Sequence, residues 1–295
     1  MSRNSTQPAE MTQLQLLQTI TTVYGEIAAM WMVRARDSII RSRSFVDEVH
    51  QLFVTVFSAY TKQVKQLASR SQFKRGGKIT FVSHNGKKVA VLLSANAGFY
   101  GEITKKTFEV FMKDIREHDY EATILGKQGL AMFIAEEPSR PHSYFEFSDE
   151  KVDQSQLLPL ARHLVQYEEI RLYHGLFENF VTQVPVVDQL RADPYQYLQE
   201  QKEEDKLKPH IFEPNIEAIL TFFEKQIFTS VLEQSVRESQ LAKFASRIMV
   251  MDRAGENIRQ RLKVIQRQQL KLTHRVNNQK QLNQFAGLLL WQGSS

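Results

Sequence analysis

Residues 241–291 read LAKFASRIMVMDRAGENIRQRLKVIQRQQLKLTHRVNNQKQLNQFAGLLLW. Apolar side chains recur along this stretch at alternating steps of three and four: Leu241, Phe244, Ile248, Met251, Ile258, Leu262, Ile265, Leu272 and Val276. Only Gly255 and Gln269 interrupt the series. A stripe with this 3.5-residue period is the a/d seam of a left-handed coiled coil, so the stretch predicts a long helix that needs a partner helix. A polar break at 277–281 is followed by a short apolar end: Leu282, Phe285, Ala286, Leu289 and Trp291. Such a tip left in water is a liability, and it is expected to sit inside another protein.

The partner is sought upstream. Between Glu10 and Leu67 no proline occurs. Ile20, Tyr24, Ile27 and Trp31, then Val46, Val49, Phe53, Val56, Tyr60 and Leu67, keep a compatible helical spacing. Two terminal helices that must meet imply an antiparallel pair with the rest of the chain inserted between them. Phe212-Glu213-Pro214 precedes Asn215, a suitable N-cap for the final helix. Unbroken to Trp291, that helix would be on the order of 115 Å long at 1.5 Å per residue, so the pair is expected to project from any globular core.

The pattern changes after Lys74-Arg75-Gly76-Gly77. Residues 78–83 and 87–93 read as strands, with Asn85-Gly86 between them as a two-residue hairpin signal. A helix from Tyr100 to Glu117 follows, then a strand at 121–125, a Gly126-Lys127-Gln128-Gly129 turn and an apolar run from Leu130 to Ala135. A short edge strand is expected at 143–147, a helix at 154–165 and a strand at 170–181 that continues, through Pro185, into a last short one. Strands separated by helices imply an open sheet with Rossmann-like layering. The fold class is therefore α/β: a long antiparallel coiled coil of the N- and C-terminal helices with an inserted Rossmann-like α/β domain. The expected divisions are 1–73, 74–209 and 210–295.

Composition bounds the chemistry. A hydrophobic share of 42% is ordinary for globular protein, and the chain has no cysteine, which excludes disulfides and thiolate metal sites. The first residues lack the apolar core of a signal peptide, and no run approaches the roughly 20 apolar residues of a membrane span. The net charge is +5. It is concentrated in the final helix, where Arg247, Arg253, Arg259, Arg261 and Lys263 lead a series opposed only by Asp252 and Glu256. A basic rod of this kind suits an acidic partner surface or nucleic acid. Arg34 and Arg36 add a basic pair to the first helix.

Catalytic motifs are lacking. No stretch supplies a P-loop, and the Gly98-Phe99-Tyr100-Gly101 turn, although it follows a strand and opens a helix, lacks the glycine series of a dinucleotide site. The histidines show no metal-ligand spacing. Adjacent pairs such as Glu136-Glu137 point to opposite sides of a strand and make poor acid/base pairs. The expectation is a protein with no catalytic residues, cofactor or metal.

Several motifs resemble one family. The stretch Arg247-Ile248-Met249-Val250-Met251-Asp252-Arg253-Ala254-Gly255-Glu256-Asn257 is similar in spacing and largely in identity to the Arg-Met-x-Ala-Met-x-x-Ala-Thr-x-Asn-Ala stretch of the gamma subunit of the F-type ATP synthase. The segment from Ser94 to Gly101 is similar to that family's Ser-Asp-x-Gly-Leu-Cys-Gly-Gly turn, and Gly126 to Gly129 to its Gly-Lys-Lys-Gly turn. Phe212-Glu213-Pro214 matches its Phe-Glu-Pro, and Ala29-Met30-Trp31-Met32-Val33 its Ala-Met-Lys-Met-Val segment. Trp31 stands where the family has lysine and Tyr100 where it has cysteine. Thr273-His274 stands where it has Arg-Gln, so the chain looks like a divergent member.

The resemblance implies a rotor shaft that couples rotation of a membrane ring, driven by protons or sodium ions, to ATP synthesis or hydrolysis. Its implied partners are the alpha and beta subunits, the epsilon subunit and the membrane c-ring, with no nucleic acid. The implied contacts with the alpha/beta ring are Met30, Arg34, Arg36, Arg247, Met251, Arg253, Arg259, Arg261 and Lys263, with the tip residues Leu282, Phe285, Leu289 and Trp291. Gly98, Phe99, Tyr100 and Gly101 are assigned to the foot against epsilon and the membrane ring. The implied location is peripheral to the cytoplasmic face of a plasma membrane, or to the matrix or stroma face in an organelle. The alternative kept beside it is a coiled-coil scaffold or nucleic-acid-binding protein with a basic rod.

Overall fold

The computed structural model describes residues 6–68, 85–191 and 216–292. Helix α1 spans Thr6–Ala68 and helix α5 spans Ile216–Gln292. Asn215 and the strand expected at 78–83 lie outside the described residues. The chain groups into two compact units: Met1–Ile27 with Ile248–Ser295, and Ala28–Arg247.

In the first unit the two helices run antiparallel. Arg261 of α5 bonds Glu10 of α1, Gly255 faces Thr21, and Met251 packs on Gly25. The α5 face is the expected one. Met251, Gly255, Leu262 and Ile265 are buried and Ile258, Gln269 and Leu272 half-buried, while the intervening residues other than Ala254 are exposed. Burying a Leu or Ile side chain contributes about 1.5–3 kcal/mol, so these seam positions hold the pair.

The α1 face differs from the expected one. Met11, Leu14, Gln18, Thr21 and Gly25 are half-buried, whereas Ile20, Tyr24 and Ile27 are exposed. The three-four spacing is present on both faces, one residue out of step. From Gln18 onward the face that packs is the one whose smaller side chains let the helix backbones approach, with Gly25 and Thr21 admitting Met251 and the Gly255 backbone. In the second unit α1 buries Ala28, Met32, Ala35 and Ile39, with Val49 beyond. There Arg237 of α5 donates to Ser38 of α1.

The second unit also holds a five-stranded sheet in the order β3-β2-β1-β4-β5. Its strands are β1 Lys88–Leu93, β2 Glu121–Leu125, β3 His142–Phe145, β4 Glu169–Phe177 and β5 Gln183–Arg191. All neighbours are parallel except β4 and β5, which form an antiparallel edge. Because β2 and β4 occupy both edges of β1, the Asn85-Gly86 turn does not lay a hairpin partner on that strand.

Alternate residues of β1 face opposite layers. Val89, Val91 and Leu93 pack with Leu157, Leu160 and Leu164 of α4 (Gln154–Leu164) and with Leu232 and Val236 of α5. Ala90 and Leu92 join Phe108, Phe111 and Ile115 of α2 (Ile103–Glu117) and Phe133 of α3 (Lys127–Glu136).

The apolar run after Gly126 is α3, and the expected Gly-Lys-Gln-Gly turn is its first turn. Gly126 takes φ +92, and a Cβ there would lie 2.8 Å from the Ala95 backbone. A Cβ on Gly129 would lie 2.5 Å from that of Ser94. Both glycines therefore serve the close approach of α3 to the end of β1.

Candidate functional site

Strand β1 ends in Ser94-Ala95-Asn96-Ala97-Gly98-Phe99-Tyr100-Gly101, and this turn is held by polar contacts from several directions. Ser94 N donates to Leu125 O at 3.0 Å, and Gln128 N donates to Ala95 O at 2.8 Å. The Asn96 side chain donates to Phe147 O and accepts from Lys127 N. The Asp149 carboxylate accepts from Asn96 N and, at 2.7 Å, from Ala97 N. It also receives the Tyr100 hydroxyl, and burial together with this carboxylate holds the Tyr100 phenol well above its usual range.

Helix α5 closes over the turn with one face. Gln240, Lys243 and Arg247, spaced by three and four, each donate to a carbonyl: Ser148 O at 3.1 Å, Ser94 O at 2.7 Å and Gly98 O at 2.7 Å. The Arg247 guanidinium lies 3.8 Å from the centroid of the Tyr100 ring, and Phe244 packs on the same ring with centroids 6.5 Å apart. Lys243 is buried, and desolvation lowers its pKa from 10.5, opposed by the nearby Asp149 charge. A ligand crevice is expected beyond the carboxyl ends of the strands where strand order reverses, here between β1 and β4. Side chains of α5 fill the end of β1, leaving between Ser94, Asp149, Ser239 and Lys243 a space with room for about one water.

The expected contact residues divide into groups. Arg247, read from the sequence as part of an outward basic face, is buried and spent on Gly98 and Tyr100. Met251 lies on the seam. Arg253, Arg259 and Lys263 are exposed, with Arg259 beside Glu256 at 3.6 Å, and Arg261 is exposed and paired with Glu10 at 2.9 Å. Met30, Arg34 and Arg36 are exposed, Arg34 lying over the Trp31 ring at 4.8 Å. Leu282 and Phe285 are 68% and 66% exposed, and the side chains of Leu289 and Trp291 lie outside the described residues.

In the expected foot, Tyr100 is buried, whereas Phe99 is 63% exposed and held at φ +68, a left-handed conformation uncommon for a bulky residue. The turn therefore displays one aromatic ring and hides the other.

Sequence reading missed two features. One is the Lys243–Asp149 neighbourhood, whose signal is a lone lysine within Leu241-Ala242-Lys243-Phe244-Ala245. The other is the outward apolar stripe of α1, formed by Leu16, Leu17, Ile20, Val23, Tyr24 and Ile27. At the end of α2, Asp114, Glu117 and His118 bring ligand atoms within 4.8 Å of one another, but Asp114 already binds Arg171 and Tyr173. No helix among the described residues is long and apolar enough to cross a membrane.

Comparison with known proteins decides the family. Residues 9–277 match the ATP synthase family. This chain belongs to that family. It is a divergent gamma-type, central-stalk member. It is 23% identical over 256 residues to the ATP synthase gamma chain of Pelotomaculum thermopropionicum, covering 81% of this chain and 82% of the relative. It is 20% identical over 285 residues to that of Mycoplasmoides gallisepticum, covering 90% and 94%. Among solved structures, a chain of the Tetrahymena thermophila mitochondrial ATP synthase central stalk and c-ring aligns with TM-score 0.53 at 15% identity, covering 80% of this chain and 99% of that one. A chain of the Euglena gracilis mitochondrial ATP synthase aligns with TM-score 0.51 at 14% identity, covering 89% and 95%. These structural likenesses concern the fold. The scaffold and nucleic-acid readings find no support among these relatives.

Proposed function

We propose that the chain is the non-catalytic rotor shaft of an ion-translocating ATP synthase, with α1 and α5 forming an antiparallel coiled coil that turns inside an alpha/beta ring. The observation that carries the reading is the first unit of this gamma-type chain. Its helices bury one seam and leave an apolar stripe on α1 and a basic face on α5 uncovered. An asymmetric shaft offers each catalytic subunit a different face and so a different nucleotide affinity. Arg253, Arg259 and Lys263 are the outward basic candidates for acidic levers, and Leu282 and Phe285 the bearing tip. The α/β domain would form the foot against epsilon and the membrane ring, which makes the protein peripheral to the membrane through the complex.

The test is assembly with alpha and beta subunits. ATP hydrolysis accompanied by rotation of a bead fixed to this chain supports the reading. Hydrolysis by an assembled complex in which the bead stays still, with a gamma chain from a relative rotating under the same conditions, contradicts it. The isolated chain is expected to show no saturable ATP binding at micromolar concentration by calorimetry.

A further inference from the structure

An ammonium group carries three N–H donors, and a buried one that is left short of acceptors is costly. Lys243 is buried, and its ammonium makes one hydrogen bond shown by the structure, to Ser94 O at 2.7 Å. Beside it lies the cavity that Ser94 and Ser239 line. The hydroxyls of both serines are buried and have no hydrogen-bond partner among the described residues. Three polar groups thus converge on a space with room for about one water, which needs two to four polar partners to reside stably.

We propose that Lys243 is the residue that locks α5 to the end of β1, and that one resident water shared by Lys243, Ser94 and Ser239 completes the lock. The neighbouring contacts give the lysine its particular role. Gln240 ties α5 to the loop after β3, and Arg247 ties it to Gly98 farther along the turn. Lys243, between them on the same helix face, reaches the strand end itself. A lock on β1 makes the turn from Ser94 to Gly101 move with the helix, because that turn hangs from Ser94. On the rotor reading above, the lock is where twist passes between the helix and the α/β domain. The hydration site does not depend on that reading.

Lys243→Met keeps an unbranched side chain of similar length and removes the donors. In the full-length isolated chain, amide hydrogen exchange of residues 94–98 is expected to quicken about tenfold or more, while exchange in β2 and α3 stays unchanged. A high-resolution structure of the wild-type chain should show one water within hydrogen-bond distance of Ser94 Oγ and Ser239 Oγ. In the assembled complex Lys243→Met should lower ion pumping per ATP hydrolysed, a ratio that lost stability alone does not move. A dry cavity, or unchanged exchange at 94–98 in a folded Lys243→Met chain, would overturn the lock. If Lys243→Met fails to fold, Ser239→Val fills the water's place without touching the lysine. Faster exchange at the turn then supports the proposal and wild-type exchange refutes it. A wild-type complex that hydrolyses ATP without rotating would count against the rotor reading alone, since the exchange result stands apart from it.

Discussion

Along one side of the helix pair in the first unit, Leu262 and Ile265 of α5 are buried, and along the other, Ile20, Tyr24 and Ile27 of α1 are exposed. Both helices carry apolar residues at steps of three and four, yet they use them differently. Helix α5 turns its large ones inward from Met251 to Ile265, whereas the inner face of α1 within this unit has large apolar residues only at Met11 and Leu14 and continues as Gln18, Thr21 and Gly25. From Gln18 to Gly25 that face packs closely but contributes little transfer free energy, so the side chains of α5 supply most of the stabilisation there. The difference teaches that a period shows a helix has a stripe, while the partner's shape decides which stripe is used. It also leaves α1 with an apolar face that is uncovered among the described residues.

The largest expected effect sharpens this contrast. Ile265→Asp, which buries an unpaired charge on the seam, should destabilise the isolated chain by several kcal/mol, about the scale of an unsatisfied buried polar group or more. Ile20→Asp should cost less than about 0.5 kcal/mol, as a surface change does. Thermal denaturation of the two variants checks both, and equal losses would break the contrast.

The second prediction concerns the part of α5 that is enclosed on all sides. The folded state depresses the Lys243 pKa below 10.5, so the unfolded chain binds this proton more tightly. The stability penalty of the charged lysine is complete below the depressed value. It is relieved as pH rises from there towards 10.5. The stability difference between wild type and Lys243→Met should therefore shift in favour of wild type across that window. Tyr100, whose raised pKa lowers stability above pH 10, is present in both chains and cancels in the difference. A difference that stays flat from neutral pH to beyond 10.5 would contradict the burial.

A smaller effect is expected at the inner face of α1. Thr21→Val replaces a half-buried hydroxyl with a methyl group on a stretch poor in apolar area, and should stabilise the pair by about 0.5–1 kcal/mol. Removal of residues 283–295 should change the melting temperature of the isolated chain least. Residues 273–285 are exposed throughout, so that end lends the pair no buried surface there. A large fall in melting temperature would show that the tip folds back on α1.

Much of this architecture is legible in the sequence because burial selects for it. The α5 seam is legible from Met251 to Ile265, since Met251, Leu262 and Ile265 are buried where the spacing puts them, whereas Val276 at the end of the same series is exposed. The sheet is legible from its apolar strands. What escapes reading depends on long-range partners. On α1, Ile20, Tyr24 and Ile27 offer a better apolar stripe than Gln18, Thr21 and Gly25, and only the close approach of Met251 and Gly255 favours the second. Asn85-Gly86 has the composition of a hairpin turn, but pairing of β1 with β2 and β4 overrides it. Arg247 reads as one more cation on a basic helix, and only the fold brings Tyr100 and Gly98 beneath it. Lys243 escapes for the same reason.

On the rotor reading, the exposed apolar face of α1 is enclosed when the chain works. The chain has no cysteine, so a single introduced thiol reports on one position alone. Ile20→Cys should react with a maleimide in the isolated chain at a rate near that of an exposed thiol. After assembly with alpha and beta subunits the rate should fall at least tenfold, while a thiol placed at exposed Lys105, on α2, should react as before. Equal labelling of Ile20→Cys before and after assembly would contradict the account.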